Sequence, residues 1–224
     1  MIKAGLNIGN SKISCIVCDY KNSENIKILS LINIPTKDLK KNIIINYQNL
    51  YSEIKNLIND SEKNSQTKLN SINVNVPTID SISEYYDSEI IIEDEKISDL
   101  HIKKLINQSQ YLTKNENYFE IFNNIIAYEL DNKFFYSDPV GNYADNIKIY
   151  FYRLLLNKKF INNMKNLAKD LNLNIDKFIP TPLASSLATL SEDEKNLGSI
   201  CIDLGHSTTS TAISVSTQST LKST

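Results

Sequence analysis

Hydrophobic and polar residues alternate with a period of two near the start of the chain, a pattern typical of β-strands. It predicts three strands, over Lys3–Ile8, Lys12–Tyr20 and Ile26–Ile34, with short polar turns between them. Apolar residues then recur at helical spacing from Tyr47 to Ile58, and the polar stretch Asn59–Lys68 is expected to end that helix. Strands followed by a helix favour an α/β layer over a helical bundle.

The pattern changes from about Ile79 to Leu156, where the sequence is polar and rich in tyrosine. The acidic run Glu89–Glu95 is expected to form a solvated loop and helix start. A weakly amphipathic helix around Ile97–Ile106 follows, and then two strands, within Tyr118–Leu130 and over Asn146–Leu156. This block is interpreted as an inserted α+β subdomain.

The α/β pattern continues on both sides of this block. Before it, Ser71–Val76 alternates as a strand. After it, the clearest helical stripe of the sequence runs from Phe160 to Leu171, followed by a short strand, Ile175–Ile179, and a small-residue helix, Leu183–Leu190. The polar stretch Ser191–Asn196 is expected to be a linker.

The chain closes with a predicted hairpin of two strands, Ser199–Asp203 and Thr209–Val215, and with Ser216–Thr224, which has no pattern. The fold class is therefore α/β, with an inserted α+β subdomain. Four segments are expected: 1–78 and 157–196 as two parts of one subdomain, 79–156 as the insertion, and 197–224 as the start of a second unit.

The composition and charge of the chain mainly exclude certain classes of partner and location. The net charge is −2, the mean hydropathy is −0.28, and lysines are interleaved with acidic residues, so nucleic acid is not the expected partner. No apolar run approaches the about 18 residues needed to cross a bilayer, and the N-terminus has no signal-peptide features. These observations predict a cytoplasmic protein. Cys15 and Cys18 have C-x-x-C spacing, but on a strand they would point to opposite faces and could not share a metal.

Two segments of the chain echo each other. Gly5–Lys12 and Cys201–Thr208 are each an apolar strand that ends in a polar residue, an aliphatic and a glycine, followed by small polar residues. Such a hairpin can turn consecutive backbone N–H groups toward one point and bind an anion. Either hairpin alone is typical of an ordinary β-turn. The duplication favours a phosphate site between two related units.

The two hairpins supply the candidate site. Its phosphate-binding residues are Gly9, Asn10, Ser11, Lys12, Asp203, Gly205, His206, Ser207, Thr208 and Thr209. Asp203 is also the candidate metal residue, because a carboxylate there could hold waters around Mg²⁺. No catalytic residue is predicted. P-loop, Rossmann, nucleophile-elbow and zinc-protease motifs are absent from the sequence.

Duplicated phosphate hairpins are the signature of the actin, Hsp70 and sugar-kinase architecture, and the sequence resembles the bacterial cell-division FtsA family in particular. Met1–Gly9 resembles its first strand and phosphate loop. The loop Asp138–Gly141 and the strand Ile147–Tyr152 resemble its distinctive subdomain 1C. Ile179–Ser186 and Glu192–Gly198 precede the second phosphate loop in the family's order.

This resemblance implies an actin-like, ribonuclease H-like domain of subdomain 1A with an inserted SHS2-like subdomain 1C. It implies ATP and Mg²⁺ as ligands, weak or absent turnover, self-association into filaments, and a role as a tether that holds FtsZ and other divisome proteins at the division septum. The family's C-terminal amphipathic helix, which would reach the cytoplasmic face of the inner membrane, has no counterpart here. The chain is therefore expected to end just inside domain 2A and to bind ATP poorly by itself.

Three features depart from the family pattern: Asn7 replaces a carboxylate, His206 and Ser207 add side chains in the second loop, and Ser210 replaces an acid. They weaken an expectation of hydrolysis more than one of binding. Two alternatives stay open. One is an interaction module similar to the pilus-assembly protein PilM, and the other is an actin-fold kinase or hydrolase with Asp203 at its centre.

Overall fold

The structure, a computed structural model, describes residues 1–22, 25–40, 43–111, 116–135, 138–215 and 218–222. Its strands are β1 (Ile2–Ile8), β2 (Lys12–Asn22), β3 (Asn25–Pro35), β4 (Leu39–Lys40), β5 (Ile43–Ile44), β6 (Ser71–Val76), β7 (Ile82–Lys96), β8 (Tyr118–Leu130), β9 (Lys133–Phe135), β10 (Tyr143–Asn157), β11 (Asn174–Pro180), β12 (Ser199–Leu204), β13 (Thr209–Val215) and β14 (Gln218–Lys222). Its helices are α1 (Tyr47–Ser65), α2 (Asp99–Tyr111), α3 (Lys158–Asp170), α4 (Thr181–Thr189) and α5 (Glu192–Leu197).

The main sheet has five strands in the order β11-β6-β1-β2-β3. β1, β2 and β3 pair antiparallel as a meander, whereas β6 pairs parallel with both β1 and β11. Parallel neighbours require crossovers, and these are the segments that carry α1 and α3. The five strands predicted for this sheet are all present, and the mixed topology is that of an α/β protein.

One face of this sheet is covered by α1 and α3. α1 begins after Asn46, whose side chain accepts from the Asn49 N–H, and it buries Leu50, Ile54 and Leu57 against the sheet. α1 ends at Ser65, inside the polar stretch Asn59–Lys68 that is expected to end it, with Gln66 in the left-handed region as its C-cap. The burial of Ser61 extends the packed face of the helix beyond Ile58.

Residues 82–157, which cover most of the predicted insertion, contain a four-stranded antiparallel sheet in the order β7-β10-β8-β9, with α2 packed against it. The expectation that Glu89–Glu95 is a loop and helix start was wrong, because these residues belong to β7. Ile90 and Ile92 alternate into the core and hold the strand in place. Glu93 and Asp94 have φ of 53° and 56° where the register with β10 shifts, so the acidic residues form a bulge.

The last part of the chain forms a three-stranded sheet in the order β12-β13-β14. The predicted hairpin is present. The predicted linker, however, is the short helix α5, which Ser191 and Glu194 start with a reciprocal capping box. The patternless tail also contains a strand, β14, paired with β13. Residues 216–217 and 223–224 of that tail lie outside the described residues.

Two smaller predictions concern the cysteines and the membrane. Cys15 is buried in the core under α1 and α3, whereas Cys18 lies on the other face of β2 and its thiol contacts the Lys3 carbonyl oxygen. The C-x-x-C spacing therefore forms no shared site, as predicted. Within the described ranges, no helix combines the length and apolar composition that a bilayer span requires.

Candidate functional site

The two hairpin turns have the same geometry. In the first, Ile8 pairs with Ile13 and the Gly9 N–H donates to the Lys12 carbonyl oxygen at 3.0 Å. In the second, Leu204 pairs with Thr209 and the Gly205 N–H donates to the Thr208 carbonyl oxygen at 2.9 Å. Both turns thus have four-residue loops with the same closing hydrogen bond.

The glycines are required by close approach within each turn. A Cβ on Gly9 would stand 3.0 Å from the Lys12 carbonyl oxygen, and a Cβ on Gly205 would stand 2.9 Å from that of Thr208. Both contacts are with backbone atoms, which cannot move without opening the turn. Glycine therefore lets each loop close tightly and keeps its backbone accessible to a ligand.

The fold brings the two turns together. The Asn10 side-chain amide donates to the Ser207 hydroxyl at 2.5 Å, across 197 positions of sequence. Beside this contact lies a cavity of about 520 Å³ between the hairpins. The residues that line it are Asn7, Ile8, Gly9, Asn10, Ser11, Lys12, Asn75, Pro77, Thr78, Thr181, Ser185, Asp203, Leu204, Gly205, His206, Thr208 and Ser210.

Most of the predicted site residues line this cavity, with two exceptions. Ser207 makes the contact with Asn10 and lines a neighbouring cavity instead, together with Lys37 and Lys40. Thr209 is exposed at the start of β13 and is not among the lining residues, whereas its neighbour Ser210 is. Asp38 and Glu53 line the neighbouring cavity too, so its two lysines are matched by two carboxylates.

Asp203 enters the cavity from the end of β12. Its carboxylate accepts a short hydrogen bond from the Ser185 hydroxyl of α4. Among the described lining residues it is the one carboxylate. No group of three or more His, Cys, Asp or Glu side chains suited to a metal occurs in the described part of the chain.

Asn7 occupies the matching position of the first hairpin, 196 residues before Asp203. Its Oδ1 accepts from Asn75 Nδ2 at 3.1 Å, and Asn75 Oδ1 in turn accepts from the Thr181 hydroxyl at 3.1 Å. The end of β1, the end of β6 and the start of α4 thus join in one polar chain along the cavity wall.

Sequence reasoning did not identify Asn75, Thr181 or Ser185. Thr181 and Ser185 are four residues apart in a helix, so they lie on the same face of α4. A T-x-x-x-S pair at the start of a helix that follows a parallel strand is a weak signal, and only the packing of α4 beside both hairpins gives it meaning.

The chemistry of these groups suits a phosphate better than a cation. Backbone N–H groups, the Lys12 ammonium and several hydroxyls are all donors, while a magnesium site is built from oxygen ligands. Asp203 is the one carboxylate among the described lining residues, and the amide of Asn7 stands where a second carboxylate would be needed to form a pair.

The sheet with its crossovers and the paired hairpins define an actin-like ATPase fold, and solved structures share it. The PilM–PilN type IV pilus biogenesis complex matches with a TM-score of 0.64 at 12% identity, over 97% of this chain and 59% of that chain. The ethanolamine utilization protein EutJ from Carboxydothermus hydrogenoformans matches with a TM-score of 0.53 at 12% identity, over 100% of this chain and 52% of that chain. The predicted fold class is confirmed.

Curated relatives of the sequence include cell division proteins named FtsA. The chain is 22% identical to FtsA of Pseudomonas aeruginosa over 209 residues and 23% identical to FtsA of Neisseria meningitidis over 208 residues. Each match covers 93% of this chain and 50% of the relative, so the chain spans about half the length of the relatives it matches. No protein-family model matches the chain. The predicted resemblance to FtsA is confirmed.

Proposed function

We propose that this chain is a nucleotide-binding, actin-like component of the cell-division machinery, and that its two hairpins bind the phosphates of ATP. The observation that carries the proposal is the contact between Asn10 and Ser207, which places two equivalent glycine turns beside one cavity. A phosphate chain binds well where backbone N–H groups converge and no side chain intervenes.

The residues divide the task by their chemistry. The turns at Gly9 and Gly205 offer backbone donors, Ser11 and Thr208 add hydroxyls, and Lys12 supplies a positive charge. Asp203 is the residue that would hold the waters of Mg²⁺, with its carboxylate oriented by Ser185. Turnover needs a positioned base, and none is assigned here.

The role in division follows from the FtsA relatives and is part of the proposal. In it, residues 1–78 and 157–196 form subdomain 1A, 79–156 form subdomain 1C, and 197–224 begin domain 2A. The chain acts with FtsZ and other divisome proteins at the septum, self-associates into filaments, and associates with the inner membrane.

Calorimetric titration with ATP in the presence of Mg²⁺ tests the phosphate site. We expect weak binding, with a Kd on the order of 0.1–1 mM, because the hairpins contact only the phosphates. Lys12→Ala is expected to weaken it by about five-fold. Lys21→Ala is the matched control, since Lys21 is exposed at the opposite end of β2. Failure of the native chain to bind ATP at several millimolar would refute the proposal.

A second proposal, an interaction module, is favoured by the exposed edge of the insertion. β7 is an edge strand of its sheet and leaves Tyr85 56% and Ile91 76% exposed. Such an edge can pair with an extended segment of a partner. Capture of purified division proteins by the native chain, but not by an Ile91→Lys variant, would support this function.

The kinase or hydrolase alternative predicts ATP turnover that falls in an Asp203→Ala variant. Because Asp203 is the one carboxylate among the described lining residues, the cavity gives this alternative less support than the binding proposal. Turnover that is absent from the native chain would remove it.

A further inference from the structure

We propose that Asn7 binds phosphate directly through its side-chain N–H groups, so that anion binding at this site does not depend on a divalent cation. This inference rests on the proposed phosphate function of the two hairpins. It assigns a specificity role to Asn7, with Asn75 and Thr181 as the residues that position it.

The hydrogen-bond chain sets the orientation of the Asn7 amide. Thr181 begins α4, and its hydroxyl lies 3.1 Å from Asn75 Oδ1 and 3.0 Å from the Val76 carbonyl oxygen. Asn75 therefore directs its Nδ2 away from Thr181, and that group donates to Asn7 Oδ1 at 3.1 Å. Since the oxygen of the Asn7 amide is occupied, its NH₂ group is left to face elsewhere.

The NH₂ group of Asn7 faces the first turn. Asn7 Nδ2 lies 3.8 Å from the point where a Cβ on Gly9 would stand, and both residues line the cavity between the hairpins. A phosphate oxygen bound in the cavity beside the Gly9 turn would thus lie within reach of one N–H donor from Asn7. Asn7, Asn75 and Thr181 are half-buried at the ends of β1, β6 and the start of α4, so rigid elements hold this geometry.

The contrast with Asp203 explains why the cation becomes dispensable. Two carboxylates at the matching positions would both repel a phosphate chain between them, and a divalent cation would be needed to neutralise them. In this chain the first position carries a neutral donor, and Asp203 is hydrogen-bonded to Ser185. The repulsion between a carboxylate at position 7 and the phosphate is thus removed, and a hydrogen bond from the Asn7 amide to the phosphate is added.

The test is calorimetric titration of the whole chain with ATP, once with excess Mg²⁺ and once with EDTA. For the native chain we expect the two Kd values to agree within about three-fold. Asn7→Asp should bind with Mg²⁺ and lose at least about ten-fold in EDTA, because it restores the second carboxylate. Thr181→Val should weaken binding in EDTA by about three- to ten-fold, whereas Thr181→Ser, which keeps the hydroxyl, should not.

The outcomes separate the two proposals. A native chain that binds ATP in neither condition refutes the phosphate function itself. A native chain that binds only with Mg²⁺ overturns the role of Asn7 and leaves the phosphate function standing. The role of Asn7 is also overturned if Asn7→Asp, shown to be folded by circular dichroism, binds ATP in EDTA with the same affinity as the native chain. If that variant is unfolded, the comparison of Thr181→Val with Thr181→Ser decides, and equal affinities in EDTA overturn the inference.

Discussion

The side chains of Asn10 and Ser207 meet at 2.5 Å and join two turns that are 197 residues apart in the sequence. This bond ties the five-stranded sheet, through the β1–β2 turn, to the three-stranded sheet, through the β12–β13 turn. It lies beside the cavity between the hairpins, which Asn10 lines, and it is a direct side-chain contact between the two turns.

The contribution of this hydrogen bond to the free energy of unfolding can be measured with a double-mutant cycle. Asn10→Ala and Ser207→Ala should each lower the free energy of unfolding by about 0.5–1 kcal/mol, since each removes a hydrogen bond at an exposed site. The double variant should cost little more than one single variant, because both remove the same bond. Urea denaturation provides the measurement. Costs that simply add would show that the bond does not join the turns.

The two glycine turns should respond alike to a methyl group. Gly9→Ala and Gly205→Ala would each place Cβ against a carbonyl oxygen, at 3.0 Å and 2.9 Å. The turn must then open and lose its closing hydrogen bond, so each variant should be destabilised by about 1–2 kcal/mol. Ser11→Ala, in the same loop, is the control and should change stability by less than about 0.5 kcal/mol. Thermal unfolding would reveal any asymmetry between the two hairpins.

Arg153 is a buried cation that is paired with Glu84. Removing the carboxylate of Glu84 should therefore lower the free energy of unfolding more than removing the Arg153 charge does. The Arg153 side chain is 7% exposed, and its Nε donates to Glu84 Oε2 at 2.7 Å. Glu84→Ala removes the nearest carboxylate from a buried guanidinium, so it should cost about 2–3 kcal/mol, although the more distant Glu120 and the Tyr86 ring still contact the cation. Arg153→Met removes the buried charge and keeps the packing, so it should cost about 1 kcal/mol.

The same pair of strands offers a control. Lys148 and Asp87 form an ion pair at 3.2 Å whose carboxylate side chain is 47% exposed. Because solvent screens this pair, Asp87→Ala should cost less than about 1 kcal/mol. Urea unfolding of the three variants should give the order Glu84→Ala, then Arg153→Met, then Asp87→Ala. A cost for Arg153→Met above that for Glu84→Ala would contradict the burial argument.

Glu62 should lower the free energy of unfolding of the chain as the pH falls into the acidic range. Burial raises the pKa of Glu62, but hydrogen bonds from Lys68 and from the Leu69 N–H more than offset it, and the pKa lies below the ordinary 4.5. A carboxyl group whose pKa is lowered by folding contributes stability above its unfolded pKa and loses it as the pH falls. Glu62→Gln should therefore cost about 1 kcal/mol at pH 7.

The pH dependence distinguishes a charge effect from a packing effect. The difference between the native chain and Glu62→Gln should shrink as the pH falls below 4.5, where the native carboxylate becomes protonated. Unfolding midpoints in urea from pH 7 down to pH 3 would follow this. A difference that stays constant over the range would mean that the glutamine fails for a reason unrelated to charge.

Local structure was largely predictable because it depends on neighbours in the sequence. Alternation located β1, β6 and β12, and a helical stripe located α3. Where prediction failed, the cause was either packing or an overlooked signal. Ile90 and Ile92 hold an acidic run in β7, and the S-x-x-E box at Ser191 starts α5 although the segment is polar.

The site itself was predictable only in part. The echo between the hairpins identified both turns, because a glycine turn has a local signature. Ser185 and Thr181 gave no comparable signal. These residues of α4 donate hydrogen bonds to Asp203 in β12 and Asn75 in β6, which are distant in the sequence.

The sequence by itself thus determined the five strands of the main sheet, the last hairpin, most of the helices, the two glycine turns and the resemblance to FtsA, all of which depend on the order of neighbouring residues. Only the tertiary structure decided that Asn10 meets Ser207 and that the Asn7 amide presents its N–H groups to the first turn. These contacts join residues 197 and 68 positions apart. Hydrogen bonds act over about 3 Å, and only the pairing of the sheets brings such distant groups that close.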